Sequence, residues 1–285
     1  MRQGQIVVDD LDDLHPGPGE ALVKTLACGI CGSDLHALVH GERMVEQQRK
    51  AGGAMTFDLS RDVVMGHEFC VEILELGAGA PDHLSEGDIV TSMPVLVSGG
   101  AVKTVGYSND VPGGYAENML LSPALMLPIP NGLSPELAAL TEPMAVGRHA
   151  VEKARPTTED VCLVIGCGPV GLSVIAALKQ KGLGPVIAAD FSPRRRALAE
   201  LLGADEVIDP ATESPYARWQ DVAWPEGVDR TDPMLRFAGI GPKPGLIFEC
   251  VGERTLAFGH RDRRADPDRG YNPLLERRMR AVLER

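Results

Sequence analysis

The chain has 285 residues, room for about two domains at a typical ~150 residues each. Its formal charge of −12 excludes nucleic acid as the main partner, because phosphate contacts need a basic face. No apolar run reaches the ~20 residues of a membrane span, MRQGQIVVDD holds no apolar signal core, and six scattered cysteines are no disulfide framework, so reduced thiols in a cytoplasm are expected.

Residues 1–130 read as short strands broken by turns. IVVDD, ALVKTLA, VVMG, CVEILELG, DIVTSMPVLV and AENMLL are rich in β-formers, and clusters such as His15-Pro16-Gly17-Pro18-Gly19 and Pro112-Gly113-Gly114 separate them. This pattern predicts a compact, barrel-like β domain. Residues 37–62 interrupt it with a polar, helix-compatible excursion that Gly52-Gly53 would end. After Asn131-Gly132 helix formers dominate, with Ser134 as an N-cap and Pro135 at the first helical position. Strands at about 161–165, 185–190, 206–208 and 246–251 then alternate with helices. Continuous apolar strands of this kind predict a parallel sheet covered on both faces, an α/β architecture.

The first of those strands runs into Gly166-Cys167-Gly168-Pro169-Val170-Gly171. In a G-x-G-x-x-G turn the first glycine permits the tight bend. The second lets backbone approach a pyrophosphate, and the third lets helix and strand pack closely. The helix N-terminus adds free N–H groups and the positive end of its dipole. Asp190 ends the next strand, 24 residues beyond Gly166, near the spacing of a ribose-binding acid. A carboxylate there accepts from a 2′-hydroxyl and repels a 2′-phosphate, which favours NAD over NADP. Arg194, Arg195 and Arg196 weaken that preference, although a solvated helix face is the plainer reading of them. Taken alone, the glycine motif also suits a methyltransferase.

Cys28-Gly29-Ile30-Cys31-Gly32-Ser33-Asp34-Leu35-His36 and Gly66-His67-Glu68 raise a metal site. A structural zinc needs a second C-x-x-C pair, and none exists. Taken in order, CGICGSDLH, GHE, GGYAEN, TEPMAVGRHA and VIGCGPVGL resemble the zinc-dependent medium-chain alcohol dehydrogenase family, in its sorbitol and threonine dehydrogenase-like branch. The resemblance covers about residues 5–252. It implies a GroES-like catalytic domain over 1–130 and a Rossmann-type, doubly wound dinucleotide domain over 131–252. It implies one catalytic zinc with Cys31, His67 and Glu142 as ligands and Glu68 as an adjacent acid that binds or approaches the metal. Asp34 matches an acid that orients the histidine. Ser33 and His36 match a hydroxyl-to-imidazole proton relay. Gly166, Gly168, Pro169, Val170, Gly171, Asp190, Arg195 and Val251 fall at the dinucleotide site. The implied reaction passes a hydride between an alcohol or polyol and NAD, in a family whose members are typically homo-oligomers.

The chain departs from the family in three places. The stretch from Gly87 to Asn109 lacks the cysteines of a structural zinc, so one zinc per chain is expected. Thirty-six residues separate Cys31 from His67, more than the family's usual gap, and the extra residues, about 41–61, are expected to cover the substrate cleft or to form a passive surface insertion. Residues 253–285 carry nine arginines and no lysine, as a shifted reading frame or a diverged tail would, so four of six sheet strands and a truncated chain are expected. Rival readings are a zinc-free quinone or enone reductase of the same fold and an inactive nucleotide-binding relative.

Overall fold

The computed structural model describes residues 1–50, 52 and 57–251; the expectations for 253–285 lie outside them. Two compact units divide between Glu142 and Pro143.

The first unit contains β1 (Ala21–Gly29), α1 (Gly32–Lys50), β2 (Glu68–Leu76), β3 (Ile89–Ser92), β4 (Val95–Ser98), β5 (Ala101–Thr104), β6 (Asn118–Leu121), β7 (Met126–Pro128) and α2 (Pro135–Ala138). Five strands pair antiparallel in the order β6-β1-β2-β3-β7, and β4-β5 is a separate hairpin. Val23, Phe69, Val71, Ile73, Val90, Met119 and Leu121 fill the core with almost no exposure.

Two expected strands are absent. Residues 6–10 join no strand, and Ile6 and Val8 stand exposed. VVMG (63–66) buries Val63 and Met65, yet its backbone is held by scattered bonds from Gly113 N to Val64 O and from Tyr115 N to Met65 O, not by a ladder. Runs of β-forming residues are the signal there, and the partner strand that such a signal presumes is absent among the described residues.

The second unit begins within α3 (Thr141–Ala154). It continues through β8 (Val161–Ile165), α4 (Pro169–Gln180), β9 (Val186–Ala189), α5 (Pro193–Leu201), β10 (Glu206–Ile208), α6 (Pro215–Ala223) and β11 (Gly245–Glu249). The helix expected after Asn131-Gly132 is thus two helices. Ser134 does cap the first, accepting from Leu137 N–H, and Thr141 Oγ1 donates to Ala138 O at 2.7 Å where the second begins.

The four strands are parallel, in the order β10-β9-β8-β11. Cys162 and Val164 point into a core with Val174 and Leu178 of α4 and Ala150 of α3. Val161, Leu163 and Ile165 point into the opposite core with Trp219 and Ala223 of α6. Period-two alternation with apolar residues at every position is what a strand buried on both faces requires. Trp219 is 2% exposed, and its Nε1 donates to Val161 O at 2.9 Å. Trp219→Ala is therefore expected to cost about 3–5 kcal/mol in urea unfolding; a loss under about 1 kcal/mol would contradict this packing account.

Among the described residues no helix is long and apolar enough to cross a membrane. All six cysteines are free. Burial pushes the thiols of Cys28, Cys162, Cys167 and Cys250 up to about 12, which leaves them as inert apolar groups.

Candidate metal centre and dinucleotide loop

β1 ends at Gly29, and the chain turns through Cys31 into α1. Its antiparallel neighbour β2 starts at Glu68, directly opposite Gly29 in register. The pairing of these two strands therefore brings the segments Cys31–Asp34 and His67–Glu68 together from 36 residues apart in sequence. Gly66 makes the approach possible. Its φ is +98°, and a Cβ would run into Tyr115 N at 2.7 Å, so only glycine can deliver His67 at this point.

Cys31 Sγ, one imidazole nitrogen of His67 and one carboxylate oxygen of Glu68 lie within 4.8 Å of one another. Tetrahedral zinc with bonds of ~2.0–2.3 Å sets its ligand atoms roughly 3.3–3.8 Å apart, so closure needs a contraction of about an ångström. Two of the three residues are buried. Glu142 lies outside this trio, in the first turn of α3. It is close enough to matter: burial raises its carboxyl, His67 opposes that, and Glu68 and Asp34 add to it.

His67 Nδ1 is 3.4 Å from Asp34 Oδ1, an ion pair out of hydrogen-bond alignment, since this buried Nδ1 has no hydrogen-bond partner. Burial works against charge on either group, yet each partner's opposite charge prevails. His67 is raised to about 10 by Asp34 and Cys31, and Asp34 is held below the usual carboxylate range. A carboxylate facing Nδ1 favours the proton there, so a metal would displace the proton on Nε2 and take its lone pair. Thiolate, imidazole and carboxylate beside that lone pair fit zinc.

Ser33 Oγ is 3.4 Å from His67 Nε2 and shares a 2.8 Å hydrogen bond with Tyr107 Oη. No hydrogen bond joins Ser33 to His36 among the described residues; the His36 ring instead neighbours His40, 5.0 Å between centroids. Sequence reasoning passed over Tyr107 and gave no role to Tyr115, although Tyr115 sits inside GGYAEN. Both hydroxyls reach Asp34. The excursion also reaches this region: Val45 and Phe57 pack in one apolar cluster with Ala37, Val63, Met65 and Tyr107.

In the second unit Gly166 has φ +90°, and a Cβ there would strike Val251. A Cβ on Gly171 would strike the Gly166 carbonyl, whereas one on Gly168 would meet nothing within 4 Å. The tight bend at Gly166 and the close helix–strand approach at Gly171 match the motif's first and third glycines, and the space beside Gly168 is open. Pro169 opens α4, and Gly168 is its N-cap without a side-chain bond. The N–H groups of that turn therefore lack a side-chain acceptor. Asp190 is 8% exposed and accepts from Cys167 N–H at 2.8 Å and Ser192 N–H at 2.7 Å, two of its roughly four acceptor positions. Arg195 stands 3.7 Å from it, its side chain 56% exposed. Arg196 is no solvated bystander: it donates to Asp190 O and Phe191 O and pairs with Asp209.

The family description "Alcohol dehydrogenase GroES-like domain" matches residues 17–131, and "Zinc-binding dehydrogenase" matches residues 169–259. The chain is 33% identical over 267 residues to the (R,R)-butanediol dehydrogenase of Bacillus subtilis, covering 90% of this chain and 73% of that protein. It is also 33% identical over 266 residues to the L-threonine 3-dehydrogenase of Thermococcus kodakarensis, covering 88% and 71%. The crystal structure of the 2R,3R-butanediol dehydrogenase from Bacillus subtilis matches with a TM-score of 0.66 at 29% identity, over 90% of this chain and 70% of that one. The chain thus spans about seven tenths of the length of these relatives.

Proposed function

Since the chain belongs to the zinc-dependent medium-chain alcohol dehydrogenase family, we propose that it interconverts a small alcohol or polyol with its carbonyl compound, using zinc and a nicotinamide dinucleotide. The observation that carries this reading is the trio Cys31, His67 and Glu68 beside Ser33. That donor set suits a catalytic metal, which keeps a position for substrate, and not a structural one. Bound there, zinc supplies a Lewis acid that makes an alcohol proton easier to remove, and the dinucleotide supplies the hydride acceptor.

The chain's own residues do the rest. Asp34 keeps the proton of His67 on Nδ1. Ser33 Oγ, at the edge of the trio, takes the proton that leaves the alcohol as its own hydroxyl proton passes on, directly or through the ribose, to His36. The N–H groups at the start of α4 hold the pyrophosphate, and Asp190 uses its remaining acceptor positions on the ribose. A carboxylate at that place supports NAD over NADP. Glu68 completes the ligand set, with Glu142 near enough to exchange with it. Glu68→Gln is accordingly expected to weaken zinc at least tenfold, and more than Glu142→Gln does; the reverse order in a chelator competition would move the ligand role to Glu142.

The deciding experiment is elemental analysis of the purified chain, then oxidation of a panel of alcohols and polyols with NAD and with NADP. One zinc per chain and turnover dependent on the dinucleotide are expected. Turnover of enones or quinones by a metal-free chain would favour the reductase reading.

A further inference from the structure

Asp34 is 2% exposed, and four groups converge on its carboxylate. Oδ2 accepts from Tyr115 Oη at 2.8 Å and from Cys31 N–H at 3.0 Å. Oδ1 accepts from Tyr107 Oη at 3.2 Å and faces His67 Nδ1 at 3.4 Å. A carboxylate offers about four acceptor positions; here three are taken by hydrogen bonds, and the remaining side faces the imidazole. That matters because the terminal torsion of an aspartate is broad and roughly two-fold. A carboxylate held only by Cys31 N–H could swing, and the imidazole that it faces would turn with it.

The two hydroxyls come from far outside the metal motif, 73 and 81 residues along the chain from Asp34. Tyr107 is itself held. It is 3% exposed, its ring lies 5.2 Å from that of His67 and 6.1 Å from that of Phe57, and Phe57 belongs to the excursion between Cys31 and His67. Its hydroxyl also meets Ser33 Oγ.

We propose that Tyr107 and Tyr115 are positioning residues of the zinc centre: they clamp the two oxygens of Asp34 and so fix the His67 imidazole with Nε2 turned to the metal. The excursion takes part, because Phe57 backs the Tyr107 ring. The proposal rests on the reading that Cys31, His67 and Glu68 hold zinc. A purely structural role would have the tyrosines satisfy a buried carboxylate and support the fold without bearing on metal affinity.

The test uses the full chain with Tyr107→Phe and Tyr115→Phe, singly and together, and again in an Asp34→Asn background. Phenylalanine keeps the ring packing and removes one oxygen. Zinc dissociation constants are read by chelator competition, the ligand field by the absorption spectrum of the Co²⁺-loaded chain, and fold stability by the thermal midpoint of the zinc-free chain. Each single change is expected to weaken zinc about tenfold or more, the range for partners of metal ligands, and to shift the Co²⁺ bands. In the Asp34→Asn background the same changes are expected to have no further effect on zinc. Zinc affinity within about twofold of the parent in both single variants, with only the thermal midpoint lowered, would overturn the positioning role. If the parent chain itself binds no zinc, the ligand assignment fails and the proposal falls with it.

Discussion

Stripping zinc from the chain is expected to lower its stability by about 2.7 kcal/mol when free zinc stood at ~100 times its dissociation constant, and His67→Ala is expected to erase that difference. The linkage is simple mass action, because a ligand that binds only the folded state adds its binding free energy to stability. The folded state alone assembles this site, since the pairing of β1 with β2 is what brings Cys31 to His67. At roughly 2–4 °C per kcal/mol for a protein of this order of size, the midpoint should move by about 5–10 °C. His67 is the ligand whose loss leaves least behind. Its removal deletes the imidazole and leaves the buried carboxylate of Asp34 without the charge it faces. Sharing the ~10–16 kcal/mol of a protein zinc site among its ligands puts the loss near 3 kcal/mol, roughly a hundredfold in affinity. Scanning calorimetry of zinc-loaded and chelator-treated chain, parent and variant, reads both. An undiminished zinc-dependent shift in His67→Ala would remove His67 from the centre.

Gly171→Ala and Gly168→Ala are expected to fail in different ways, although both lie in one motif. At Gly171 the new methyl meets the Gly166 carbonyl, which is backbone and cannot swing aside. Overpacking of this kind costs about 1–3 kcal/mol, and here it also displaces the turn whose N–H groups are to hold the pyrophosphate. Both the thermal midpoint and the affinity for NADH should fall. At Gly168 a methyl meets nothing within 4 Å, so stability should be unchanged. Any loss of NADH affinity, about tenfold for 1.4 kcal/mol, then comes from contact with the dinucleotide itself. A fluorescence titration with NADH beside a thermal melt separates the two. Equal stability loss in both variants would contradict the packing account, and unchanged NADH affinity in both would remove the loop from the binding site.

Much of this was legible in the chain of residues, and the legible part has a common physical basis. The strands of the second unit announce themselves because a strand buried on both faces must be apolar at every position. Ser134 and Pro135 announce a helix start because capping is local chemistry. The glycine loop is legible because two backbone constraints, at Gly166 and Gly171, fall a few residues apart beside an open glycine at 168. The failures share a basis too. Residues 6–10 carry the composition of a strand, but a strand exists only where a neighbour pairs with it. Arg196 reads as one of three exposed cations, yet it reaches back to the carbonyls at the end of β9, a contact set by where the chain turns after Asp190.

The order of residues alone settles the kind of chemistry: thiol, imidazole and carboxylates in one constellation, and a phosphate loop in another. Its local signals are short-range, acting through covalent neighbours and helical or strand periodicity. Which acid joins Cys31 and His67 was left open by that information, because Glu68 and Glu142 are both acceptable donors. Tertiary structure sets Glu68 beside Cys31 and His67, since β2 pairs with β1 and lays Glu68 across from Gly29. Only tertiary structure reveals the two tyrosines that hydrogen-bond Asp34. Hydrogen bonds across 73 and 81 residues leave no periodicity or spacing in a single sequence, and they appear only once strand pairing and turn geometry have brought the hydroxyls to a buried carboxylate.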